Sequence, residues 1–343
     1  MIRGRTKCPL DPFLVANLVC PRDHTDLDAA GDVLACAQQH RYRVVGDIPV
    51  MLLDDVPQTL GVASDSLRAV SDDAESPTAS GAPPPPAIGV DAYVQSAIAA
   101  TGGYLYAGLI GSLTEYPIPE MRLPRATGPG QYLLDIGSNW GRWCIAASRL
   151  GYEPVGIDPG LASIQAASRV ARQLGAKARF VVGDARYLPF CDSVFSVAFS
   201  YSVLQHFAKP DALRALSEAG RVLMPGGRAL IQMANVYGLR CLYHQARRRF
   251  REPAGFQVRY WTPRELRLAA SRAIGPATLS VDGYFSLNPQ HSDLRILPAR
   301  YRLIVRASDA LRAASERVPA MLQFADSIYL SARRGRGDPC TQC

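Results

Sequence analysis

Asp135-Ile136-Gly137-Ser138-Asn139-Trp140-Gly141 is the stretch on which the fold turns. It follows the apolar run Tyr132-Leu133-Leu134 and leads into a segment of helical character over 141–150, so it reads as a strand-to-helix turn. Two glycines four apart let a ligand approach the backbone where a Cβ would otherwise stand. Asn139 sits between them, where glycine is commoner. Asparagine tolerates left-handed backbone angles better than most residues, so the turn keeps its shape.

Outward from this turn the chain alternates between two periodicities. Strands are expected at 132–136, 154–158, 179–182, 194–200 and 228–233. Helices are expected at 161–174, where Leu161, Ile164, Ala167 and Ala171 recur at helical spacing, and at 210–222, stopped by Pro225-Gly226-Gly227. Such alternation predicts an α/β fold, a parallel sheet with helices on both faces. Past Met233 the pattern changes. A basic helical segment is expected over 238–251, and Thr262-Pro263 opens another helix with a capping threonine. Two last strands are expected at 278–285 and 326–332, separated by a helical insertion.

Asp158 ends the second strand, 21 residues beyond Gly137, where an acidic side chain can accept both hydroxyls of a ribose. Val182-Gly183-Asp184-Ala185 follows the third strand. An aspartate there can receive an adenine amino group while the next amide meets a ring nitrogen. Each of the three elements lies at the carboxyl end of a strand, and together they are far more specific than any one.

This series resembles the class I S-adenosylmethionine-dependent methyltransferases over residues 128–334. Leu134 to Gly137 is similar to that family's first motif, Gly156-Ile157-Asp158 to its second and Gly183-Asp184-Ala185 to its third. The run from Phe195 to His206 resembles the fourth, and 216–227 resembles the approach to the fifth strand. The resemblance implies a Rossmann-like seven-stranded sheet whose last strand runs antiparallel, with S-adenosylmethionine as cofactor. It implies Asp135 at the methionyl amino group, Gly137 and Asn139 along the methionyl part, Asp158 at the ribose, and Asp184 with Ala185 at the adenine. Ser138, Gly141 and Ser200 complete the expected cofactor-binding set.

Methyl transfer from a sulfonium is an in-line displacement that needs a base only when the nucleophile holds its proton. Catalytic candidates are Tyr201, Ser202 and His206, with Ser200 and Gln205 beside them. His206 has the right ordinary pKa for a general base, or it caps and packs the following helix. Tyr201 lines the transfer pocket or packs under it. Asn235, Tyr237, His244, Tyr260 and Trp261 are candidates for an acceptor pocket or lid. Arg240, Arg247, Arg248, Arg249 and Arg251 form a basic surface beside it, either a solvated face or a dock for phosphate, carboxylate or lipid head groups.

Near the N-terminus, Cys20-Pro21-Arg22-Asp23-His24 and Cys36-Ala37-Gln38-Gln39-His40 form two Cys-x3-His pairs with 11 residues between them. A tetrahedral zinc site on Cys20, His24, Cys36 and His40 is expected, with Cys8 a further candidate; metal-free packing is the alternative. Leu18 to Pro21 and Tyr42 to Leu52 resemble the zinc-ribbon protein that activates several methyltransferases in trans, and the ribbon fused to certain rRNA guanine methyltransferases. The expected organisation is a β-rich zinc-ribbon-like unit over 1–60 and a proline-rich linker over 61–90, which includes Pro83-Pro84-Pro85-Pro86. A helical cap over 91–127, the methyltransferase domain over 128–334 and a loose tail over 335–343 follow.

The chain has 343 residues, 48% hydrophobic and 20% charged, and no apolar run long enough to span a membrane. No signal peptide is read, and eight scattered cysteines point to a reducing, cytoplasmic setting rather than a disulfide framework. The net charge of +8 fits RNA, an anionic small substrate, an anionic membrane surface or plain solubility. The leading function is O- or N-methylation of a small molecule or of a glycan or lipid intermediate. One alternative is rRNA or tRNA methylation, against which Ser200-Tyr201-Ser202-Val203 stands where an Asn/Asp-Pro-Pro-Tyr base-pocket motif would lie. Another is attack by the cofactor's own amino nitrogen, closing an azetidine ring and releasing methylthioadenosine.

Overall fold

The computed structural model describes residues 2–3, 10–58, 61–71, 89–286, 288 and 290–336. Cys8, the four-proline run and the tail from 337 onward lie outside the described residues.

Seven strands form the main sheet: β6 (Tyr132–Ile136), β7 (Glu153–Asp158), β8 (Arg179–Val182), β9 (Phe195–Tyr201), β10 (Leu223–Ala234), β11 (Ala277–Gly283) and β12 (Ser327–Arg333). Their order is β11-β12-β10-β9-β6-β7-β8. β12 runs antiparallel to both neighbours, and the pairs from β10 to β8 are parallel. This is the expected Rossmann-like methyltransferase sheet. The strand order reverses at β6, which opens a crevice at its carboxyl end, directly beyond the Gly137 turn.

The helices are α4 (Arg142–Arg149), α5 (Leu161–Gln173), α6 (Lys209–Val222), α7 (Leu239–Arg247), α8 (Pro263–Ala273) and α9 (Ala299–Ser315). The start of α8 is set as its residues require. The Thr262 hydroxyl accepts from the Glu265 amide at 3.1 Å while the Glu265 carboxylate accepts from the Thr262 amide at 3.0 Å. α6 and α8 cross closely at Gly220, where an added Cβ would lie 2.4 Å from the Ala273 carbonyl oxygen.

The N-terminal strands are β1 (Ile2–Arg3), β2 (Leu27–Ala30), β3 (Val33–Cys36), β4 (Arg41–Val45) and β5 (Ile48–Pro49), with α1 (Pro12–Asn17) between β1 and β2. They form a second, mostly antiparallel sheet in chain order. This unit sits on the open β8 edge of the main sheet. Leu18 bridges Phe190, Val50 bridges Val182, and the Met51 amide donates to the Val182 carbonyl at 2.7 Å. Arg179 of β8 bonds Asp11, the residue that caps α1, at 2.6 Å. Leu14, Leu18, Leu27, Leu34 and Met51 of this unit share one buried core with Val181, Leu188, Phe190 and Leu216.

Part of the expected linker is ordered. Residues 61–69 form a helix, α2 (Gly61–Ala69), with Ala63 and Ser66 buried. Ala63, Leu67 and Val70 pack against Ile164, Ala167 and Ala171 of α5, and the Ser66 hydroxyl donates to the Pro159 carbonyl at 2.7 Å and accepts from the Leu161 amide at 2.8 Å. A further helix, α3 (Ala92–Gly102), follows the undescribed stretch and packs Val94 and Ile98 against Trp140 and Trp143. Among the described residues no helix is long and apolar enough to cross a membrane, and none of the described cysteines is bridged.

Candidate active site and metal cluster

The Gly137–Gly141 turn is built from left-handed residues: Gly137 at φ +78°, Asn139 at +46° and Gly141 at +81°. Asn139 thus adopts the conformation its residue type tolerates. A Cβ on Gly137 would lie 2.2 Å from a Val203 methyl, so only glycine fits there without displacing that side chain. The amides of Gly137 and Ser138 both donate to the Ile157 carbonyl, at 2.8 and 3.0 Å, tying the turn to β7.

Asp158 at the tip of β7 is the hub. Its Oδ2 accepts from the Asn139 amide at 3.0 Å; its Oδ1 accepts from the Gly160 amide at 2.9 Å and the Ser163 hydroxyl at 3.0 Å. A carboxylate has about four acceptor positions, so one remains for a hydroxyl of a ligand. Burial pushes its carboxyl up from the ordinary range.

A cavity of ≈ 670 Å³ opens over this turn. Gly137, Ser138, Asn139, Asp158, Asp184 and Ala185 line it, as do Tyr201, Ser202 and His206. Expected cofactor residues and expected catalytic residues therefore share one chamber. Its volume lies within the usual range for small-molecule sites. Asp184 is clamped by Arg186, whose Nη2 reaches Oδ2 at 2.6 Å and whose amide reaches Oδ1 at 2.8 Å. The Ala185 amide has no acceptor among the described residues.

Three expected cofactor residues do not reach the cavity wall. Ser200 is fully buried and donates to the Ile136 carbonyl at 3.0 Å. Neighbouring side chains on a strand point to opposite faces, so placing Tyr201 in the cavity turns Ser200 away. Gly141 stands behind the turn as the residue before α4. Asp135 is 1% exposed beneath the loop, accepts from the Cys144 thiol at 3.3 Å, and burial pushes it up to about 7.

Arg142 was not singled out from the sequence, yet it lines the cavity while only 4% exposed. Its Nη1 has no hydrogen-bond partner, and the guanidinium lies 5.6 Å from the Trp143 ring centroid and 6.0 Å from that of Tyr201. Burial pulls its pKa down, offset only in part by Tyr201, Tyr329 and Asp135, so the group is suited to meet a negative ligand. α2 and α3 also contribute to the wall, through Ala63 and Asp65 and through Tyr93 and Ala97.

The Tyr201 hydroxyl donates to Asp282 at 2.8 Å and accepts from the Gln290 amide at 2.6 Å. Burial and the Asp282 charge push the phenol well above its ordinary value. Tyr201 is thus a fixed neutral donor rather than a base. Ser202, at φ +64°, accepts from Gln205 at 2.7 Å.

His206 stacks on Phe256 with centroids 3.8 Å apart, and its Nδ1 lies 2.8 Å from the Phe256 carbonyl. A carbonyl only accepts, so Nδ1 carries the proton and Nε2 keeps its lone pair. Burial lowers the ring's pKa to about 4. Between the ordinary value of 6.5 and about 4, the unfolded chain binds a proton that the folded ring refuses, so stability falls as pH falls through that window. His206→Gln should flatten this part of the stability profile, measured by denaturant unfolding. An unchanged slope would contradict the neutral assignment.

In the N-terminal unit, Cys20, Asp23, Cys36 and His40 converge, with one ligand atom of each within 4.8 Å of the others. Here the structure corrects the expected set: His24 is not a member, and Asp23 takes its place. His24 has φ +57° and directs Nε2 toward Glu218 at 3.9 Å. The His40 Nδ1 lies 3.5 Å from Cys20 Sγ, 3.3 Å from Cys36 Sγ and 3.2 Å from Asp23 Oδ2. A zinc tetrahedron with ordinary bond lengths has sulfur-to-nitrogen edges of about 3.6 Å and nitrogen-to-oxygen edges of about 3.4 Å, so the donor set fits. Outer contacts are present too. Thr25 donates twice to Asp23 Oδ1, and the Tyr42 hydroxyl lies 3.1 Å from Cys20 Sγ.

The main sheet is of the Rossmann-like methyltransferase type, and this chamber lies at the carboxyl edge of its strands. A family model described as "Methyltransferase domain" matches residues 133–227. An uncharacterized methyltransferase of Mycobacterium sp. (strain KMS) is 35% identical over 105 residues, 31% of this chain and 39% of that protein. A probable tRNA methyltransferase 9B of Homo sapiens is 35% identical over 104 residues, 30% of this chain and 21% of that protein. The match thus spans less than half the length of these relatives. Among solved structures, YcgJ of Bacillus subtilis is 24% identical, covers 62% of this chain and 94% of its own, and has a TM-score of 0.42. A complex between the Haloferax volcanii Trm112 methyltransferase activator and the putative methyltransferase gives 17% identity, 72% and 95% coverage, and a TM-score of 0.45.

Proposed function

We propose that the protein transfers the methyl group of S-adenosylmethionine to an oxygen or nitrogen of a small molecule, or of a glycan or lipid intermediate. The observation that carries this reading is the single ≈ 670 Å³ chamber that holds the cofactor turn together with Arg142, Tyr201 and His206. Asp158 holds the ribose, the Ala185 amide and Asp184 the adenine, and Gly137, Ser138 and Asn139 flank the methionyl part. The cofactor supplies an electrophilic methyl carbon. Tyr201, its hydroxyl held by Asp282 and Gln290, walls the acceptor with its ring, Arg142 meets an anionic group, and neutral His206 takes the proton where the acceptor carries one. The ribbon holds one structural zinc ion on Cys20, Asp23, Cys36 and His40, a reading supported by the fit of the donor distances.

Mass spectrometry of products tests the reaction. With S-adenosylmethionine and a candidate acceptor, S-adenosylhomocysteine and an acceptor heavier by one methylene are expected. Methylthioadenosine formed without any acceptor would overturn methyl transfer in favour of ring closure. S-adenosylhomocysteine formed only with added RNA would overturn the small-molecule reading.

A further inference from the structure

The helix α7 is inside out. On a helical wheel Leu239, Leu242, Tyr243 and Ala246 share one side and Cys241 and Gln245 the opposite side. The buried side carries one cysteine and one glutamine. The amide of Cys241 donates to Asp326 at 2.9 Å, and the Gln245 side chain donates to the carbonyls of Val236 and Cys241 at 2.9 and 3.2 Å. The apolar side faces out, with Leu239 55%, Leu242 39% and Tyr243 58% exposed. Phe250, just past the helix, is 70% exposed. A surface helix ordinarily does the reverse. Single exposed leucines need no explanation, but a contiguous set does.

Charge narrows the occupant. From Tyr237 to Arg251 there are five arginines and no acidic residue. Arg240 rests on the Tyr104 ring at 3.9 Å, and Arg248 bonds the Val258 carbonyl at 3.0 Å. Arg247, Arg249 and Arg251 are exposed and form no ion pair among the described residues. A stripe of leucine and aromatic side chains flanked by arginine is the pattern of a helix lying in a membrane interface. RNA would use aromatic stacking and phosphate contacts, to which Leu239 and Leu242 add nothing. A second copy of the chain, related by a two-fold axis, would set these arginines against each other.

We propose that this face docks on an anionic lipid bilayer. Leu239, Leu242, Tyr243 and Phe250 enter the boundary between head groups and acyl chains, and Arg247, Arg249 and Arg251 meet lipid phosphates. Phe256 and Val258, a few residues on, line the chamber, so docking sets its wall beside the membrane surface. The docking is independent of which atom is methylated.

Full-length protein is floated with vesicles, without S-adenosylmethionine, so the result does not depend on the reaction. Binding is expected on phosphatidylcholine mixed with phosphatidylglycerol, about a hundredfold weaker on phosphatidylcholine alone, and weaker in high salt. Arg247→Ser, Arg249→Ser and Arg251→Ser combined should weaken it by about a hundredfold, at roughly fivefold per arginine. Leu239→Ser, Leu242→Ser and Phe250→Ser combined should abolish it with the unfolding midpoint and cofactor affinity unchanged. No binding to anionic vesicles, or equal binding to both kinds, overturns the proposal. So does tRNA binding that survives the serine replacements of Leu239, Leu242 and Phe250 in the absence of vesicle binding. A concentration-dependent dimer that those replacements dissolve, again without vesicle binding, overturns it as well.

Discussion

Asp158→Ala is expected to remove measurable S-adenosylmethionine binding in a calorimeter. A hydrogen bond to a charged group is worth about 1.5–3 kcal/mol, so losing the ribose hydroxyl bond alone weakens affinity by roughly ten- to 150-fold. The damage exceeds that direct loss. Oδ2 also holds the Asn139 amide, and Oδ1 holds Gly160 and Ser163 at the start of α5. Without these bonds the left-handed Asn139 has lost the partner that stabilises its unusual backbone angle. Asp158→Asn, which retains one acceptor oxygen, should fall between parent and alanine variant. A thermal unfolding trace run beside each titration separates a lost ligand contact from a lost fold. Unchanged affinity in a folded Asp158→Ala protein would refute the ribose assignment.

The second large effect is at the ribbon. Zinc is expected at one equivalent per chain by elemental analysis. Cys20→Ser and Asp23→Ala should each lose it, whereas His24→Ala should retain it. Structural zinc contributes an apparent 10–16 kcal/mol, approximately, to small metal-dependent folds at neutral pH. The unit therefore unfolds, or nearly so, when a ligand is removed. Because its leucines share a core with Val181, Leu188 and Phe190, the loss should spread to the β8 edge and lower the melting temperature of the whole chain. Zinc retained in Asp23→Ala but lost in His24→Ala would restore the ligand set expected from sequence. No zinc in the parent protein would leave a metal-free packed cluster.

What was legible in the sequence was whatever is local. The strand at Tyr132–Ile136 and the helix at Leu161–Gln173 announce themselves by their periods, and the Gly137 turn by its glycines. The capping residue of α8 is likewise a matter of four consecutive positions. What stayed hidden depends on backbone angles or on distant partners. Asp23 and His24 are adjacent, and the left-handed turn at His24 decides which of them faces Cys20, Cys36 and His40. Ser200 and Tyr201 differ by one step along β9, and spacing does not say which face of the sheet borders the chamber. Arg142 looks like any arginine opening a helix; its burial beside Trp143 and Tyr201 comes from strands far away in the chain. The helix at 61–69 carries only a short stripe, Ala63 and Leu67 with Val70 beyond, and Ser66 reaching across to Pro159 and Leu161 adds a hold that spacing does not reveal.

The seating of the ribbon on β8 has a consequence for how the chain reaches its native state. A parallel sheet with an open edge is at its most vulnerable while being made, when unpaired backbone groups can recruit another nascent chain. Here the segments that cover that edge, Leu18 and Val50-Met51, are synthesised well before Val182 and Phe190. When β8 leaves the ribosome, the segments that will cover its edge are already outside. If the unit holds zinc as proposed, cells starved of the metal should accumulate this protein as aggregates rather than as an inactive but soluble form.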